Sequence, residues 1–520
     1  MKKLIYLHLF VCVLFSCGTS ESEVSDKKEL DDILDMAPIE PDDIVLKPKD
    51  HFLNEYGIHE KAYSYVAGTE FFSDIREQSC WTETLSALKK EIIVPEEAKL
   101  ISSVVDLMKL ASGEIYYVKG DLIVPTLLVG NGENKHSKGI TIPNNVTIYI
   151  EGSIYKEGLF MGDQDLDDGI EEENKWDYIF NLEKTKNVNI YGINHPKIYS
   201  KKRSVAFYMG GDEETLKPAR NIIENCKIHD FSQERRVYNP GIALRGVGHV
   251  VRSTEIYNGP HMGMIISGNN HLIEYSDFHN CPQEYSDMLA VYMNTGNYPL
   301  MRGTVIRRNE FHDVQGSWKQ SAGVYLDNET SGVLIEGNYF YRNGAQENGW
   351  SVMIHGGADN VVRSNLFVDC SYPFCISLRL NGYAADNFEG LLQRWEKALK
   401  EAPKVYYRFY PELNHYFDDE EERPEVKDFT YHLKKDKEGR IVNYWNRRTP
   451  STNVWKDNII YNNQSVPFCM PVTDKRKNVE NRGFYTTGLF RIKNGVRQDN
   501  LIHSGNKVLT PEYKKEVSEY

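Results

Sequence analysis

The phrase HLIEYSDFHNC at 271–281 recurs along the chain with substitutions. Later copies are TVIRRNEFHDV at 304–314, VLIEGNYFYRN at 333–343 and NVVRSNLFVDC at 360–370. Each copy begins with apolar residues that alternate with polar ones, and then passes a small or amide residue. Those residues are Ser276, Asn309, Asn338 and Asn365. A recurrence every ~20 to 35 residues indicates stacked structural repeats.

A second short apolar run separates the copies. Its versions are GMIIS at 263–267, AVYMN at 290–294, GVYLD at 323–327, VMIHG at 352–356 and CISLR at 375–379. Two short strands per period with Gly and Asn at the corners, and no helical periodicity, disfavour leucine-rich and helical repeats. The pattern predicts an all-β chain folded as a right-handed parallel β-helix, a solenoid whose coils pack on their neighbours.

The amino-acid composition limits the kinds of molecule that the protein is expected to bind. The 520 residues carry a formal net charge of −14 and lack a long basic run. Nucleic-acid binding needs a clustered cationic face, so a nucleic-acid partner is not expected. The 33 tyrosines suit either stacking on sugar rings or an ordinary sheet surface.

The N-terminus has the pattern of a targeting segment. Lys2 and Lys3 precede the apolar run at 4–15, which is too short to span a bilayer permanently. The sequence LFSC at 14–17 resembles a bacterial lipoprotein processing site. This resemblance implies a lipoprotein signal peptide at 1–16 and acylation of Cys17, hence a membrane partner through a lipid anchor. The alternative is an ordinary signal peptide.

The residues after Cys17 are acidic and polar, which predicts a flexible tether at 17–50. Acidic residues soon after a lipidated cysteine resemble the surface-export signal of Bacteroidetes-type lipoproteins. We therefore expect an outer-membrane lipoprotein that faces the cell surface or the periplasm.

The rest of the chain divides by pattern. Amphipathic stretches at 79–91 and 98–111 predict short helices in a mixed N-terminal cap at 51–118. The β-helix is expected at 119–380. Residues 381–450 form a partly helical insertion that either walls one side of a groove or decorates the surface. Final coils and a C-terminal cap complete the prediction at 451–520.

Six cysteines follow Cys12 and Cys17, with no CxxC pair and no zinc spacing. Cys281 and Cys370 end two copies of the repeated phrase. We expect both to be small buried residues at equivalent corners. An exported location permits disulfides, but the sequence does not require one.

Alternation along a strand predicts which side chains point out of the solenoid. In GVYLD, Val324 and Leu326 should point inward, and Tyr325 and Asp327 outward. The same rule gives one outward column of Ser267, Asn294, Asp327, His355 and Arg379. The other strand gives a second, stacked column of His229, Tyr257, His279, His312 and Tyr341. Corners between the columns hold His261, Glu284 and Asp287.

Two of these residues are candidate catalytic acids. Asp287 and Asp327 are about one long coil apart, so stacking is expected to bring their carboxylates close together. Glycoside hydrolysis needs one protonated and one ionised carboxyl, and mutual proximity separates their pKa values. This mechanism requires no metal and no cofactor. The candidate substrate-binding residues are His261, Glu284, Asn294, His312, Tyr325, His355 and Arg379.

Structural roles compete with these assignments. Asp287 and Asp327 each suit a corner where an Asp side chain bonds its own backbone. The histidine column suits a stacked surface ladder, and Asn309, Asn338 and Asn365 suit an internal amide ladder. Arg379 either holds an acidic sugar or pairs with a neighbouring acid.

Several phrases in order carry a family resemblance. The runs at 258–292, 302–314 and 323–344, and YPEL at 410–413, resemble a family of exported right-handed β-helix glycoside hydrolases. That family is similar to glycoside hydrolase family 141, whose members include α-L-fucosidases acting on pectin and xylanases. The resemblance implies that Asp287 and Asp327 match the family's paired acids.

The sequence therefore predicts a glycoside hydrolase that cleaves a complex polysaccharide or oligosaccharide. One alternative is a polysaccharide lyase for uronate-containing glycans, in which His312, His355 or Arg379 supplies the base. A second alternative is a non-catalytic glycan-binding solenoid, with aromatic residues along the groove. The fold alone does not choose among the three.

Overall fold

The computed structural model describes residues from 92 to 519 with gaps. Nothing is described at 1–91, 126–127, 130–135, 138, 157–177, 201–204, 234–237, 284–287, 295–299, 315–320, 329, 345–348, 356, 358–359, 378–396, 411–412, 414–432, 436–440, 445–452, 457, 462–467, 471–489, 494–495, 500, 505–506, 510–517 and 520. Within the described part, no helix is long and apolar enough to cross a membrane.

The described elements are almost all short strands. The early strands are β1 (Lys99–Ile101), β2 (Ile115–Val118), β3 (Leu122–Val124), β4 (Leu128–Val129), β5 (His136–Ser137), β6 (Ile140–Thr141), β7 (Thr147–Ile150), β8 (Ile154–Lys156), β9 (Tyr178–Leu182), β10 (Asn189–Gly192), β11 (Lys197–Ser200) and β12 (Val205–Met209). The described helices with printed bounds are α1 (Val104–Leu107) and α2 (Lys404–Phe409).

The central coils contain eighteen strands that repeat in groups of three. They are β13 (Ile222–Glu224), β14 (Lys227–His229), β15 (Ile242–Leu244), β16 (Val250–Arg252), β17 (Glu255–Tyr257), β18 (Met264–Ile266), β19 (Leu272–Glu274), β20 (Asp277–His279), β21 (Met288–Met293), β22 (Val305–Arg307), β23 (Glu310–His312), β24 (Ser321–Leu326), β25 (Leu334–Glu336), β26 (Tyr339–Tyr341), β27 (Trp350–His355), β28 (Val361–Arg363), β29 (Leu366–Val368) and β30 (Tyr372–Ser377).

The late strands follow the insertion or lie within it. They are β31 (Leu433–Lys435), β32 (Ile441–Tyr444), β33 (Asn453–Lys456), β34 (Ile459–Tyr461), β35 (Phe468–Met470), β36 (Phe490–Lys493), β37 (Val496–Asp499), β38 (Leu501–Ser504), β39 (Lys507–Leu509) and β40 (Ser518–Glu519).

Three long sheets run the length of the solenoid. Sheet 1 has the order β1-β2-β7-β10-β13-β16-β19-β22-β25-β28-β33-β38. Sheet 2 has the order β3-β8-β11-β14-β17-β20-β23-β26-β29-β34-β39-β40, and sheet 3 runs β35-β30-β27-β24-β21-β18-β15-β12-β9-β6. Each central coil gives one strand to each sheet, and these pairings are parallel. The chain is an all-β, right-handed parallel β-helix, so the predicted fold class is confirmed.

Inward side chains fill the space between the three sheets with apolar groups. Phe278, Phe311, Phe340 and Phe367 occupy one position in successive coils of sheet 2, with ring centroids 4.9, 5.0 and 4.8 Å apart. All four are completely buried. Stacked rings at the strand spacing keep one coil packed on the next without a gap.

The predicted amide ladder lies at the corner between sheets 1 and 2. The side-chain oxygen of Asn338 accepts from the backbone N–H of Asn309 at 2.9 Å, and Asn365 does the same for Asn338. Each side-chain amide nitrogen donates to its neighbour's oxygen at 3.0 Å. Because the ladder satisfies backbone donors that the corner would otherwise leave unpaired, it is structural, as the sequence predicted.

The same corners use left-handed backbone conformations. The residue after each central strand of sheet 2 has a positive φ near 50°. These residues are Asp230, Asn258, Asn280, Asp313, Arg342 and Asp369. Because Asn and Asp tolerate this region better than most residues, they recur where the chain turns from sheet 2 towards sheet 3.

Charges alternate along the outer face of sheet 1. Six consecutive strands place opposite charges in register. The residues are Glu224, Arg252, Glu274, Arg307, Glu336 and Arg363. Glu274 is fully buried and bonds Nε of Arg252 at 2.7 Å and Nε of Arg307 at 2.9 Å. We call this set the charge ladder.

The cysteine prediction also agrees with the structure. Cys281 and Cys370 each lie two residues past a strand of sheet 2, and both are completely buried as free thiols. Burial raises the pKa of the Cys281 thiol to about 12. These thiols are therefore inert packing groups at equivalent corners.

The solenoid begins earlier than its predicted start at 119. Strands β1 and β2 already join sheet 1, inside the region predicted as a cap. The helix expected at 98–111 is reduced to the four-residue α1, because Lys99–Ile101 pair as a strand. The helix expected at 79–91, the tether and the signal peptide lie outside the described residues.

The insertion at 381–450 is described only in parts, and one part docks on the solenoid. In α2 and just beyond it, Tyr406 and Tyr410 are buried against the corner between sheets 3 and 1. The Tyr410 hydroxyl donates to Asn270 at 2.9 Å and accepts from Asn269 at 3.1 Å. The insertion therefore folds back onto the coils, while its contact with a substrate stays a prediction.

Candidate functional site

The candidate site is built on the ends of three strands of sheet 3. In register, Val324 pairs with Val291 and Val352, and Leu326 pairs with Met293 and Ile354. Val324 and Leu326 are completely buried in the main core, whereas Tyr325 packs in a separate cluster outside the sheet. The predicted inward and outward alternation at 324–327 is therefore confirmed.

Asp327 leaves strand β24 with its backbone held on both sides. Its N–H donates to the carbonyl of Met293 at 2.8 Å. Its carbonyl accepts from the Thr330 N–H at 3.1 Å and from the Thr330 hydroxyl at 2.6 Å. These bonds fix the corner, and so they fix the direction in which the carboxylate points.

Two donors from neighbouring coils hold the Asp327 carboxylate. The Tyr292 hydroxyl donates to Oδ2 at 2.7 Å, and Nδ1 of His355 lies 2.7 Å from Oδ1. The carboxylate is the acceptor in both contacts, which assigns the proton to Nδ1 of His355. The Asp327 side chain keeps 15% of its surface exposed. Two donors favour the ionised form of a carboxylate that still reaches solvent.

The network extends to two further side chains. The amide nitrogen of Asn294 donates to the Tyr292 hydroxyl at 2.8 Å, and the Tyr325 hydroxyl lies 3.0 Å from Nδ1 of His355. Five polar side chains from three consecutive coils thus meet at one edge of sheet 3. We call this set the Asp327 cluster: Tyr292, Asn294, Tyr325, Asp327 and His355.

A buried apolar and aromatic cluster adjoins the Asp327 cluster. Met262, Leu289, Trp350, Met353 and Cys375 pack with the rings of Tyr292 and Tyr325 on the outer side of sheet 3. Aromatic rings beside a few convergent polar groups are typical of small-molecule and sugar sites.

The Tyr292 hydroxyl is a permanent donor. Burial, followed by the nearby negative charge and the hydrogen bond of Asp327, raises the pKa of Tyr292 far above its usual value. Tyr292 therefore keeps its proton at every physiological pH and continues to donate to Asp327.

Three of the predicted site residues, Asp287, Glu284 and Arg379, lie outside the described residues. The outward column is otherwise as predicted for Ser267, Asn294, Asp327 and His355. However, His355 pairs with Ser377, so Ser377 occupies the place that the sequence assigned to Arg379. The physical reason is the pleat, since the next outward position after Cys375 is two residues along.

The register also identifies the neighbour of Asp327 in the preceding coil. Met288 pairs with Ser321 and Met293 pairs with Leu326, so residue 294 is level with Asp327. The first residues of β21 lie at the opposite end of this strand pair, roughly 17 Å away at ~3.3 Å per residue. The pairing of Asp287 with Asp327 therefore gains no support from coil stacking and stays a prediction.

His261 is buried rather than presented to a substrate. It is 1% exposed, and its ring contacts that of Tyr238 with centroids 5.1 Å apart. Burial lowers the pKa of His261 to about 3, so the ring is neutral. Tyr238 is 39% exposed, which makes it the accessible member of this pair.

His312 lies on a different face from Asp327. It ends β23 on the outer side of sheet 2, where its ring stacks on His279 with centroids 4.7 Å apart. The column runs on through Tyr257 and His229, as predicted, with spacings of 4.8 and 4.9 Å. His312 therefore belongs to this stacked column, and the histidine that contacts Asp327 is His355.

The sequence missed two residues of the site region. Tyr292 stands in AVYMN where Tyr325 stands in GVYLD, and the repeat alignment alone was enough to select both. Tyr238 lies in the turn before β15, with a positive φ of 54°. Its contact with His261 depends on how that turn folds, so no repeat pattern signals it.

Comparison with known proteins agrees with the fold. The family model described as "Right handed beta helix region" matches residues 240–387. These residues include strands β15 to β30 and the whole Asp327 cluster. The fold and this match define a right-handed β-helix protein.

One solved structure is similar to the chain. It is that of "1,3-alpha-1,4-beta-D-galactose-4-sulfate-3,6-anhydro-D-galactose-2-sulfate 4 galactohydrolase", at 13% sequence identity and a TM-score of 0.29. The likeness covers 50% of this chain and 63% of that enzyme, which is less than two thirds of its length. No curated protein matches the chain.

Proposed function

We propose that the protein is a glycoside hydrolase that cleaves a polysaccharide or oligosaccharide at the Asp327 cluster. The observation that carries the proposal is the partly exposed Asp327 carboxylate, held by Tyr292 and His355 at 2.7 Å each. Glycosidases need such an ionised carboxylate as nucleophile or as base for water.

Each residue of the cluster has a role in this proposal. Asp327 acts as the ionised partner, because two hydrogen-bond donors stabilise its negative charge. Tyr292 and His355 orient the carboxylate, and Asn294 fixes the Tyr292 hydroxyl. The rings of Tyr292 and Tyr325 pack in the buried apolar cluster beside the carboxylate and brace it.

The mechanism also needs a protonated carboxyl. Asp287 and Glu284, in the segment between β20 and β21, are the candidates that the sequence supplies. The resemblance of the sequence to β-helix glycoside hydrolases favours Asp287. Its role as the general acid rests on that resemblance.

The test compares Asp327→Asn with wild type on a panel of plant and host polysaccharides. We expect wild type to release saturated sugars and Asp327→Asn to lose about 10²- to 10⁴-fold in turnover, the usual contribution of an acid–base group. Asp369→Asn, the same change after a strand of sheet 2, is the matched control. Full activity in Asp327→Asn would remove the proposed catalytic role.

A polysaccharide lyase is a second candidate, and one contact favours it. Nδ1 of His355 faces Asp327, which fixes the tautomer and leaves Nε2 as the nitrogen with a lone pair. An imidazole oriented by a carboxylate suits abstraction of the proton beside a uronate carboxyl group. A lyase would give unsaturated products that absorb in the ultraviolet, and His355→Gln would abolish them.

We further propose that the protein is an outer-membrane lipoprotein anchored through Cys17, facing the cell surface or the periplasm. The motif LFSC and the acidic residues that follow it support this proposal. Cells that express the full chain, grown with a labelled fatty acid, should give labelled wild type and unlabelled Cys17→Ala. Equal labelling of both proteins would contradict it.

A further inference from the structure

The outer face of sheet 2 gathers three metal-ligating side chains away from the Asp327 cluster. Asp277, His279 and His312 each place one ligand atom within 4.8 Å of the other two. All three side chains are partly buried. Nε2 of His312 lies 3.2 Å from Oδ1 of Asp277.

Strand register explains why these residues meet. Strand β20 pairs with β23, so Asp277 pairs with Glu310 and His279 pairs with His312. Asp277 and His279 are two residues apart in one strand and therefore project from the same face. The four side chains form a square on two adjacent coils, with acids on one side and imidazoles on the other.

The spacing fits one ion after a small contraction. Three atoms within 4.8 Å of one another lie at most roughly 2.8 Å from a common centre. A metal–nitrogen or metal–oxygen bond is about 2.1 Å, so each atom would move by roughly 0.7 Å or less. The two imidazole rings, which stack nearly in parallel, must also tilt so that both ring planes point towards the ion.

Carboxylates flank both imidazoles. Nδ1 of His312 lies 2.9 Å from Asp313, which in turn accepts from Arg342 at 2.6 Å. Nε2 of His279 lies 3.1 Å from Glu255. A carboxylate on one ring nitrogen fixes the ring and raises the basicity of the other, the arrangement that surrounds metal-binding histidines.

The local charge also favours a cation. Asp277 and Glu310 occupy paired positions in adjacent strands, where like charges repel. A bound dication would offset the repulsion between the acids.

We propose that Asp277, His279 and His312 bind one divalent transition-metal ion, such as Zn²⁺. Mixed imidazole and carboxylate ligands select Zn²⁺, Ni²⁺ or Co²⁺ over Ca²⁺ and Mg²⁺, which prefer oxygen ligands alone. The ion joins two consecutive coils, and binding stabilises the folded solenoid.

Calorimetric titration of tag-free full-length protein with Zn²⁺ tests the site. We expect one ion per chain, with a lower affinity at pH 6 than at pH 8 because protons compete with the metal for the ligand atoms. The titratable groups that face the ion, besides His312, are His279, Asp277, Glu310, Asp313 and Glu255. Ca²⁺ should bind at least tenfold more weakly.

The chain offers a matched pair of variants. His229 occupies the same column and also has an Asp on Nδ1, at 2.7 Å. However, Lys197 and Lys227 stand where Asp277 and Glu310 flank His312. Tyr already occurs in this column at 199, 257 and 341, so His→Tyr preserves the stack at either position.

We expect His312→Tyr to weaken Zn²⁺ binding at least tenfold and His229→Tyr to leave it unchanged. Asp277→Asn, which removes one ligand charge and no volume, should weaken it as well. Wild-type affinity in both His312→Tyr and Asp277→Asn would overturn the proposal. An equal loss in His229→Tyr, or no Zn²⁺ binding by wild type, would also overturn it.

Discussion

The hydroxyl of Tyr292 is the most constrained donor in the Asp327 cluster. It gives its proton to Asp327 and accepts from Asn294. Its ring packs in the apolar cluster on the outer side of sheet 3. Because Tyr292 and Tyr325 pair in register, one tyrosine faces Asp327 directly and the other reaches it only through His355.

This difference gives a prediction for Tyr292→Phe, which rests on the proposed hydrolase function. Loss of one donor makes the ionised form of Asp327 less favourable, so the acidic limb of the kcat/KM profile should move to higher pH. We expect kcat/KM at the optimum to fall about tenfold, as for a hydrogen bond to a charged group.

Tyr325→Phe is the control for this measurement, since the Tyr325 hydroxyl contacts His355. Its acidic limb should coincide with that of wild type. Superimposable pH profiles for Tyr292→Phe and wild type would show that Tyr292 does not orient the catalytic carboxylate.

Strands and corners were the most predictable elements. A period of two placed Tyr325 and Asp327 outside, and the repeat position of Asn338 placed it in an internal ladder. Both predictions follow from local rules that every coil repeats, namely alternation along a strand and pairing of buried backbone groups.

The relation between Asp287 and Asp327 was not predictable in the same way. Their separation in sequence is close to the length of one coil. The position of each residue within its coil, however, depends on where the strand begins. Strand register pairs Met288 with Ser321, 33 residues further on, whereas Asp327 lies 40 residues after Asp287. Separation along the chain therefore gives the coil number, and strand register gives the position within the coil.

The charge ladder of sheet 1 leads to a stability prediction. Glu274 is buried between Arg252 and Arg307, and Arg307 is itself 1% exposed. Glu274→Gln should leave Arg307 as an uncompensated buried charge, at a cost of about 3–5 kcal/mol in the free energy of unfolding.

Urea unfolding at constant pH measures this loss. Glu336→Gln is the matched control, because its partner Arg363 is 42% exposed and water solvates the charge that remains. We expect a loss of under about 1 kcal/mol for the control. Similar losses in the two variants would mean that burial does not set the strength of the ladder.

The molecule contains buried histidines that make its stability depend on pH in mild acid. Burial lowers the pKa of His249 to about 4, and that of His271 and His261 to about 3. These histidines are neutral in the folded chain and take up protons on unfolding. Their contribution to stability is present above pH 6.5 and is lost as the pH falls towards the folded pKa values.

Glu310 changes the stability of the fold with pH in the opposite direction. Its pKa is raised to about 8, so its contribution is present at low pH and is lost as the pH rises through 8. As the pH falls from 6.5 to 4.5, each of the three histidines lowers the free energy of unfolding by ~2 kcal/mol, at 1.4 kcal/mol per pKa unit. The single carboxyl of Glu310 raises it by a similar amount. We expect a net loss of stability on acidification across this window.

Urea titrations at pH 6.5, 5.5 and 4.5 check the sign. Glu310→Gln removes the opposing group, so its stability should fall with acidification more steeply than that of wild type, by ~2 kcal/mol over the window. Stability that is constant or rises towards pH 4.5 in wild type would contradict this assignment of the buried histidines.

The charge ladder has a further consequence for how such a chain changes its length. A solenoid is usually free to gain or lose single coils, because each coil packs only on its neighbours. Removal of one coil between Glu224 and Arg363, for example the coil that holds Glu274, would bring Arg252 against Arg307. Removal of two adjacent coils would restore the match between acid and base. In this stretch, only deletion or duplication of an even number of coils keeps every acid next to a base.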